Sequence, residues 1–448
     1  MDEYALDHSQ TREAPVSISG RIRHLGPSLI LTASIVGSGE LIMTTTLGAK
    51  AGFTALWVIL ISCLFKVTIQ LEFGKYAISS GKTTLQAFNS LPGPRWRGAS
   101  WSIWSWLAIK TFQTIQYGGI VGSVALVLKL AFPGVALWIW VALVALGTAL
   151  LVSRGSYRLI ERTSIILIAA FSLFTIFCLF VMQTTSFRIS LPDLLNGLSF
   201  KLPPPIVGVA LAAFGLTGVS ADEIISYPYW CLEKGYARNT GPYEESIAWE
   251  KRAKGWIRVM YLDGILSMVI YTLATAAFYL LGASILHAQG LIPEGFELIT
   301  TLSRIYTESI GPGAIVIFMV GAVVTLYSTL FVACASGTRM FTDAFAQCGL
   351  LDYQNQKVRK KWIRLLSWIL PLVWSILFLV MKAPVLMVMA GGISLTLLLI
   401  LVLYATIIFR YRWLTPAIRP GMAYDLFLWI SLVAIAGVGI YTIYSLIH

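Results

Sequence analysis

The chain has 448 residues, of which 57% are hydrophobic and only 12% are charged. An average soluble domain is about 25% charged and about 45–50% apolar, so this composition excludes a soluble enzyme of two or three domains. The formal charge is +12, with 33 Lys and Arg against 21 Asp and Glu. The apolar residues lie in blocks of about 20, the length of a membrane-crossing helix, without the alternation of a membrane β-barrel. The sequence therefore predicts an all-α polytopic membrane protein.

Eleven apolar segments are predicted to span the membrane. They lie at roughly 27–50, 54–79, 102–128, 135–153, 159–182, 204–231, 256–284, 312–343, 362–381, 384–409 and 424–447. The polar tail before them is predicted to carry no cleavable signal peptide. With this tail inside the cell, most Lys and Arg residues fall on the cytoplasmic side, as the positive-inside rule requires. We therefore expect a multi-pass protein of the cell (plasma) membrane with a cytoplasmic N-terminus and an external C-terminus.

Two spans carry glycine-rich, polar interruptions near their middle. These are Ile35-Val36-Gly37-Ser38-Gly39-Glu40 in the first span and Phe214-Gly215-Leu216-Thr217-Gly218-Val219-Ser220-Ala221-Asp222-Glu223 in the sixth. Broken helices in corresponding positions of two repeats are the best sequence indication of a transporter binding site. Small residues also allow close helix packing, but packing alone does not explain carboxylates beside both interruptions. The pattern therefore predicts that helices 1 and 6 are broken at mid-membrane.

The first span resembles the Nramp (natural resistance-associated macrophage protein) family of metal-ion transporters. The resemblance is carried by Gly26-Pro27, Gly37-Ser38-Gly39-Glu40, Gly48-Ala49, Gly52-Phe53 and Leu56-Trp57. Further similarities to the second, third and eighth helices of the family are at Gln70 with Ser80-Gly81-Lys82, at Gly122-Ser123, and from Ser328-Thr329 through Gly337-Thr338 to Phe345. The resemblance implies a LeuT-type fold, with two inverted five-helix repeats plus an eleventh helix, and transport by alternating access.

This resemblance also implies a division of the chain into four parts. They are a cytoplasmic tail at 1–25, a first inverted repeat (helices 1–5) at 26–183, a second (helices 6–10) at 204–410 and an additional helix 11 at 424–448.

Three departures from the family pattern affect its metal site. The family's two ligands on the first helix, Asp and Asn, are replaced by Gly37 and Glu40. The Met-Pro-His of the sixth helix is replaced by about Val219-Ser220-Ala221, which removes the thioether ligand and the histidine. Two acidic positions of the third helix are occupied by Gln116 and Gly119. The sequence is therefore a divergent member, and the transition-metal substrate of the family does not carry over intact.

Glu40 is the first candidate ligand, because a carboxylate at the membrane midplane is rare and usually functional. Its alternative role is a cap on the outer half-helix, where the helix dipole stabilises an anion. Of Asp222 and Glu223, we expect one to cap the second half-helix and the other to reach the site. The predicted substrate- or metal-binding set is Gly37, Ser38, Glu40, Thr217, Gly218, Asp222 and Glu223. Such oxygen ligands suit a hard or partly hydrated divalent cation such as Mg²⁺, Mn²⁺ or Fe²⁺.

Polar residues on the third span argue against a simple cation site. Lys110, Gln113, Gln116 and Tyr117 are predicted to be cavity residues on this span. A lysine at the cavity repels a cation and favours an anionic or chelated substrate. Lys110 and Lys66 could instead pair with Glu40, Glu72 or Asp222, or extend to the membrane surface. Near the inner end of the eighth span, Arg339 and Asp343 are predicted to form a structural pair or a possible gate.

No nucleotide-binding or hydrolase motif is found, so we expect neither an enzyme nor a primary pump. The predicted function is secondary transport of a metal ion, with a small organic solute or an anion-complexed metal as the alternative substrate. A sensor is disfavoured because the chain has no large soluble domain. No cofactor is expected apart from the transported metal ion, and the partners are the lipid bilayer and the substrate, with no nucleic acid and no obligatory protein. No obligatory proton coupling is expected, because the predicted spans contain no histidine to relay protons.

Overall fold

The computed structural model describes residues 4–154 and 157–447, and these form an almost entirely helical protein. The α-helices are α1 (Ile18–Ile22), α2 (Pro27–Ile35), α3 (Thr45–Ala51), α4 (Leu56–Ser80), α5 (Thr84–Asn89), α6 (Trp101–Ala131), α7 (Leu137–Arg154), α8 (Tyr157–Met182), α9 (Leu191–Gly197), α10 (Val207–Leu216), α11 (Ala221–Lys234), α12 (Tyr236–Thr240), α13 (Ile247–Leu281), α14 (Leu298–Ile310), α15 (Ala314–Gln347), α16 (Gln356–Met381), α17 (Pro384–Ile408) and α18 (Met422–Ile447).

Short elements complete the description. Segments of π-helix lie at Gly39–Thr44, Gly282–Leu286 and Phe409–Trp413, and 3-10 turns lie at His8–Gln10, Pro204–Ile206, Gly295–Glu297 and Pro416–Ile418. Strands β1 (Arg95–Trp96) and β2 (Ala99–Ser100) pair antiparallel ahead of α6.

Ten helices of the described chain are long and apolar enough to cross a membrane. The remaining predicted segment, 159–182, corresponds to α8, of which Ile168–Met182 is a shorter apolar helix. The prediction of an all-helical, multi-pass architecture is therefore confirmed.

The two broken helices lie at the centre of the molecule. We compare the spans by the share of residues that is buried in the most apolar stretch of each. This share is 89% in Pro27–Ala51 and 78% in Pro204–Lys234, the two broken spans. It is only 22% in Leu137–Arg154 and 33% in Met422–Ser445. Side chains that face neighbouring helices instead of lipid allow a span to carry polar residues and irregular backbone. The breaks are thus enclosed by protein, and α7 and α18 form part of the lipid-facing perimeter.

The first break follows from the close approach of α15. Helix α2 ends at Ile35, Val36 is non-helical (φ −72°, ψ 67°), and the chain resumes as the π-helix at Gly39. A Cβ atom on Gly37 would lie 1.6 Å from the Oγ1 atom of Thr329. Only glycine therefore fits at this position, and the predicted break in helix 1 is confirmed.

The second break begins after Leu216, the last residue of α10. Thr217 is extended, and Gly218 has a φ of +59°, a conformation that glycine adopts at little cost. Ser220 and Glu223 then form a capping box that starts α11, each side chain accepting a backbone N–H of the other residue. The predicted break in helix 6 is also confirmed, and its cap comes from residues of the break itself.

Candidate functional site

A small cavity lies between the two breaks, with walls from α2, α6, α11, α15 and α17. It is lined by Leu31, Ser34, Ile35, Ser38, Gly39, Gln113, Gln116, Tyr117, Leu216, Ser220, Asp222, Glu223, Ser226, Thr329, Val332, Ala333, Ser336 and Leu395. The cavity volume is about 20 Å³, which is room for about one water molecule or one small ion. The conformation is therefore close to occluded, and a bulky solute does not fit in it.

Asp222 contacts two groups of α6, one charged and one neutral. Its Oδ1 atom lies 2.6 Å from the ammonium of Lys110, and its Oδ2 atom accepts a hydrogen bond from the Tyr117 hydroxyl at 2.8 Å. Gln113 donates to the Tyr117 oxygen at 3.1 Å, which fixes the ring in place. Of the partners considered for Lys110, the structure selects Asp222. The lysine therefore supplies the counter-charge of this carboxylate and does not leave a free positive charge in the cavity.

Glu223 joins the two broken helices. Its Oε2 atom accepts the backbone N–H of Ser220 at 2.7 Å, and its Oε1 atom accepts the hydroxyl of Ser34 on α2 at 3.1 Å. Within the described parts of the chain, no Lys, Arg or His lies within salt-bridge distance of Glu223. Asp222 is thus the cavity carboxylate with a salt-bridge partner, and Glu223 has none within that distance, although it also serves as the cap.

The structure places Glu40 outside this cavity. The side chain is fully buried, its Oε1 atom accepts the Thr275 hydroxyl of α13 at 3.0 Å, and its Oε2 atom has no hydrogen-bond partner. Ser38 and Gly39 line the cavity, and each step along a helix turns the side chain by about 100°. Glu40 consequently faces α13 on the far side of the half-helix. Its role as a ligand stays a prediction, and this conformation does not bring it to Asp222 and Glu223.

Three other predicted site residues shape the breaks without lining the cavity. Gly37 packs on Thr329, and Gly218 packs on α4, where an added Cβ would lie 2.9 Å from the Cα of Cys63. The Thr217 hydroxyl donates to the Oγ atom of Ser62 at 2.9 Å. Their functional roles stay predictions, and in this conformation they set the positions of Ser38, Asp222 and Glu223.

Arg339 and Asp343, predicted as a structural pair or a possible gate, both contact residues of other elements. Arg339 reaches Glu233 on α11, with 2.5 Å between Nε and Oε1. The Oδ2 atom of Asp343 accepts hydrogen bonds from Thr83 at 2.5 Å and from Tyr229 at 2.6 Å. Their pairing with each other and their role as a gate stay predictions. Each residue still links α15 to α11.

Sequence reasoning missed much of the α15 wall. Thr329, Val332, Ala333 and Ser336 line the cavity at the i, i+3, i+4 and i+7 positions of one helix face. Ser34 and Ser226, which also line it, were not among the candidates. The detectable signal was a row of hydroxyl and small residues at helical spacing within a strongly apolar span.

The cavity offers oxygen and amide ligands only. Its lining contains no Met, Cys or His, and within the described chain no three His, Cys, Asp or Glu residues come together in an arrangement suited to a metal ion. Two carboxylates, several hydroxyls and the free backbone of the breaks would hold a hard cation weakly, with water completing its coordination.

Comparisons with known proteins place this architecture in context. A family model described as "Natural resistance-associated macrophage protein-like" matches residues 28–445. A divalent metal cation transporter, MntH, of Bacillus subtilis is 23% identical over 355 residues, which is 78% of this chain and 76% of that protein. An uncharacterized protein of Pasteurella multocida is 24% identical over 308 residues; the alignment covers 65% of this chain and 63% of that protein, just under two thirds.

Similarity extends to solved structures. A manganese transporter of Eremococcus coleocola superposes with a TM-score of 0.70 at 15% identity, covering 98% of this chain and 91% of that one. At this level of identity the superposition establishes the fold alone, and it confirms the prediction of a LeuT-type architecture.

Proposed function

We propose that this chain, which belongs to the Nramp family of membrane transporters, moves a divalent metal ion across a lipid bilayer by alternating access. The proposal is supported by the two helix breaks that face each other across a small polar cavity, the arrangement in which broken helices bind transported ions. It is also supported by the relative named as a divalent metal cation transporter.

The observation that carries the proposal is the placement of Glu223. This carboxylate lies at the cavity, next to the hydroxyls of Ser34 and Ser220, without a basic partner in the described chain. A partly buried carboxylate without a counter-charge within salt-bridge distance is costly, and a cation bound there would supply that charge. Ser38 and Ser226 add neutral oxygens to the same cavity.

The ligand set favours Mn²⁺ or Mg²⁺ over softer metals. Carboxylate, hydroxyl and water oxygens suit hard divalent cations, and thiolates and thioethers select soft ones. With only oxygen and amide groups lining the cavity, Cd²⁺ should gain no special affinity over Mn²⁺. The alternative substrate, an organic solute or a chelated metal, would need a wider cavity than the one between these breaks.

The four-part organisation and the orientation, with two inverted repeats and a cytoplasmic N-terminus, belong to the same proposal. They follow from the family resemblance and from the distribution of Lys and Arg residues.

The test is metal flux into proteoliposomes, measured for Mn²⁺, Mg²⁺, Cd²⁺ and a chelated metal. Glu223→Gln should abolish saturable Mn²⁺ uptake while the melting temperature stays within a few degrees of wild type, because glutamine keeps an oxygen that can cap α11. Glu297→Gln, which makes the same change at an exposed position, is the matched control. Wild-type uptake by the Glu223→Gln variant would contradict the ligand role, and uptake of the chelate but of no bare ion would support the alternative substrate.

A further inference from the structure

A groove with basic walls lies between the N-terminal segment and the start of α13. Its volume is about 460 Å³, within the usual range of ligand pockets. Four basic and two acidic residues line it, together with apolar residues and a glycine. The charged residues are Arg21, Lys251, Lys254, Arg258, Glu13 and Glu250. The groove therefore carries net positive charge, and it shares no lining residue with the cavity between the two breaks.

Salt bridges account for both carboxylates of the groove. Glu250 pairs with Lys254 one turn later on α13, and the Glu13 carboxylate lies 3.7 Å from the ammonium of Lys251. These two pairs cancel the negative charge of the groove. Its net charge therefore comes from the two arginines.

The two arginines have no carboxylate partner in the described chain. The Nε atom of Arg21 donates to the carbonyl oxygen of Pro15 at 3.2 Å, so the terminal nitrogens of this guanidinium remain available. Arg258 is exposed and forms neither a hydrogen bond nor an ion pair with a described residue. A guanidinium presents its donors in a fixed fork that matches phosphate oxygens, and it keeps its charge at any ordinary pH. The groove is thus chemically suited to a phosphate group.

The basic residues of α13 lie on the side of this helix that faces lipid. Lys251, Lys254 and Arg258 are three and four residues apart, which places them on one helix face. The same face continues with apolar residues at similar spacing, namely Leu262, Ile265, Val269 and Leu273. The last three are about half exposed, as expected of side chains that contact acyl chains. Arg258 stands about one turn before this face becomes apolar, which is the level of the lipid headgroups.

Exposed apolar side chains surround the groove. Val16, Ile18 and Ile22 of the N-terminal segment and Ile247 of α13 are between 55% and 88% exposed. Ile18 and Ile22 are four residues apart on α1 and share a face of that short helix. Aliphatic side chains this exposed are unfavourable in water. At a bilayer surface they insert below the headgroups while neighbouring Lys and Arg residues attract anionic lipid.

Contacts with α13 hold the N-terminal wall of the groove in place. The indole N–H of Trp256 donates to the carbonyl oxygen of Arg12 at 2.9 Å, and the backbone N–H of Arg12 donates to that of Asn239 at 2.9 Å. A Cβ atom on Gly255 would lie 2.7 Å from the Cβ of Ala14, so glycine allows the segment to lie directly against the helix. The groove is therefore formed without a ligand, which lowers the entropic cost of binding one.

We propose that this groove binds the headgroup of an anionic phospholipid, with its phosphate held by Arg21 and Arg258 and its acyl chains along the exposed apolar face of α13. Basic pockets at the membrane surface bind the headgroups of anionic lipids. A free phosphate would match the charge of the groove but would leave the apolar residues around it unexplained. A phospholipid accounts for both, and it would fasten the N-terminal segment to α13.

The competing explanation is that these basic residues only orient the chain in the membrane, as Lys and Arg near the ends of spans do. Orientation depends on the total charge of a loop and requires no bound lipid. A headgroup site depends on which arginine is changed and distinguishes one lipid from another.

The experiment counts the lipids bound to the purified full-length protein by native mass spectrometry, with phosphatidylglycerol or phosphatidylcholine added at equal concentration. Wild type should bind phosphatidylglycerol saturably and more tightly than phosphatidylcholine, whose amine offsets the phosphate charge. Arg21→Gln and Arg258→Gln should each weaken phosphatidylglycerol binding about fivefold, the effect of one basic residue near an anionic surface. Arg258→Lys keeps the charge and should retain most of the affinity. Arg412→Gln, the same change at an exposed residue outside the groove, is the matched control.

Hydrogen exchange of the backbone amides at 12–22 gives a second measurement. Phosphatidylglycerol should slow this exchange in wild type but not in a variant that carries both Arg21→Gln and Arg258→Gln. Equal affinity for the two lipids would overturn the proposal, as would a loss in Arg412→Gln as large as that in Arg258→Gln. The same slowing by inorganic phosphate would also overturn it, because the ligand would then be a soluble anion. Neither measurement involves metal transport, so its result is independent of the proposed function.

Discussion

Lys66 shows how a charged residue is accommodated inside a membrane span. Its side chain is fully buried, and its ammonium donates to the carbonyl oxygens of Phe214 at 2.7 Å and Thr217 at 2.6 Å. These carbonyls lose their helical partners at the second break, and the positive charge also complements the C-terminal end of the α10 dipole. None of the carboxylate partners considered from the sequence forms a hydrogen bond with Lys66 in the described chain, and its hydrogen bonds are with backbone carbonyls. Lys66 is a structural cap reaching from α4.

We expect Lys66→Met to destabilise the protein by about 2–4 kcal/mol, because hydrogen bonds from a charged donor contribute about 1.5–3 kcal/mol and the carbonyls stay buried. Ser62, whose hydroxyl lies 3.0 Å and 2.9 Å from the same two oxygens, limits the loss. Thermal unfolding in detergent or lipid measures this effect. Lys50→Met, which removes a lysine from a partly exposed salt bridge with Glu294, should change the melting temperature little. A similarly small effect of Lys66→Met would contradict the capping role.

The buried ion pair of Lys110 and Asp222 leads to a second prediction, about stability. Removing one partner of a buried ion pair costs about 3–5 kcal/mol, because the other charge remains without compensation. We therefore expect Lys110→Met and Asp222→Asn each to lower the unfolding free energy, and the double variant to lose much less than the sum of the two. A double-mutant cycle on thermal stability measures this coupling. Additive losses would show that the 2.6 Å contact has no energetic role.

At the scale of elements, the N-terminal segment fastens the end of the molecule where α11 and α15 meet. The Tyr4 hydroxyl donates to the Oε1 atom of Glu233 at 2.8 Å, and Arg339 of α15 binds the same carboxylate. Burial raises the pKa of the Tyr4 phenol well above its usual value, and the nearby Glu233 carboxylate raises it further, so the phenol stays a donor. The guanidinium of Arg359 lies 4.8 Å from the Tyr4 ring centre. The tail thus holds the ends of three helices together.

Loosening this contact should open the cavity from the side of the N-terminal segment. We expect Tyr4→Ala to raise the rate at which a polar thiol reagent labels Ser336→Cys, a cavity position. Tyr4→Phe should have an intermediate effect, because it removes only the hydroxyl. The background needs Cys348→Ser, since Cys348 is a half-buried thiol and Cys63, Cys178, Cys231 and Cys334 are buried. Equal labelling rates in all three proteins would contradict a closing role of the tail.

Elements were easier to predict from the sequence than the directions of individual side chains. Glycine clusters beside carboxylates indicated both breaks, because irregular backbone in a membrane requires protein surroundings. The direction in which the Glu40 side chain points was not predictable from the sequence. Each step of one residue along a helix turns the side chain by about 100°, and the residue at which the half-helix starts was not known. The contacts of Arg339 and Asp343 with other elements were not predictable for a related reason. Spacing on one helix reveals possible partners within it, and here the partners come from α11 and the N-cap of α5.

At the scale of the whole molecule, the burial of the helices decreases from the centre to the perimeter. The broken spans are enclosed, and most residues of the outer helices α7 and α18 are not buried inside the protein. Polar and charged groups follow this gradient: Lys66, Lys110, Glu40 and Asp222 are all buried and all face neighbouring helices. Under the proposed function, an ion would cross at the cavity between the two breaks. Coupling to protons would then depend on which of the nearby titratable groups can exchange a proton with both sides of the membrane.

We expect metal uptake to proceed without obligatory proton symport. Proton coupling needs titratable groups that continue from the cavity to both faces, yet α6 contributes Gln116 to the cavity wall and Gly119 one turn further on, and neither titrates. Asp222 is held by Lys110 and Tyr117, and Glu40 is enclosed against Thr275, so the carboxylates form no continuous relay. A pH-sensitive dye inside liposomes, with the membrane potential clamped, should report no acidification as the outside Mn²⁺ concentration rises. Acidification that follows the Mn²⁺ concentration and disappears in Glu40→Gln, but persists in Glu297→Gln, would instead identify Glu40 as the proton carrier.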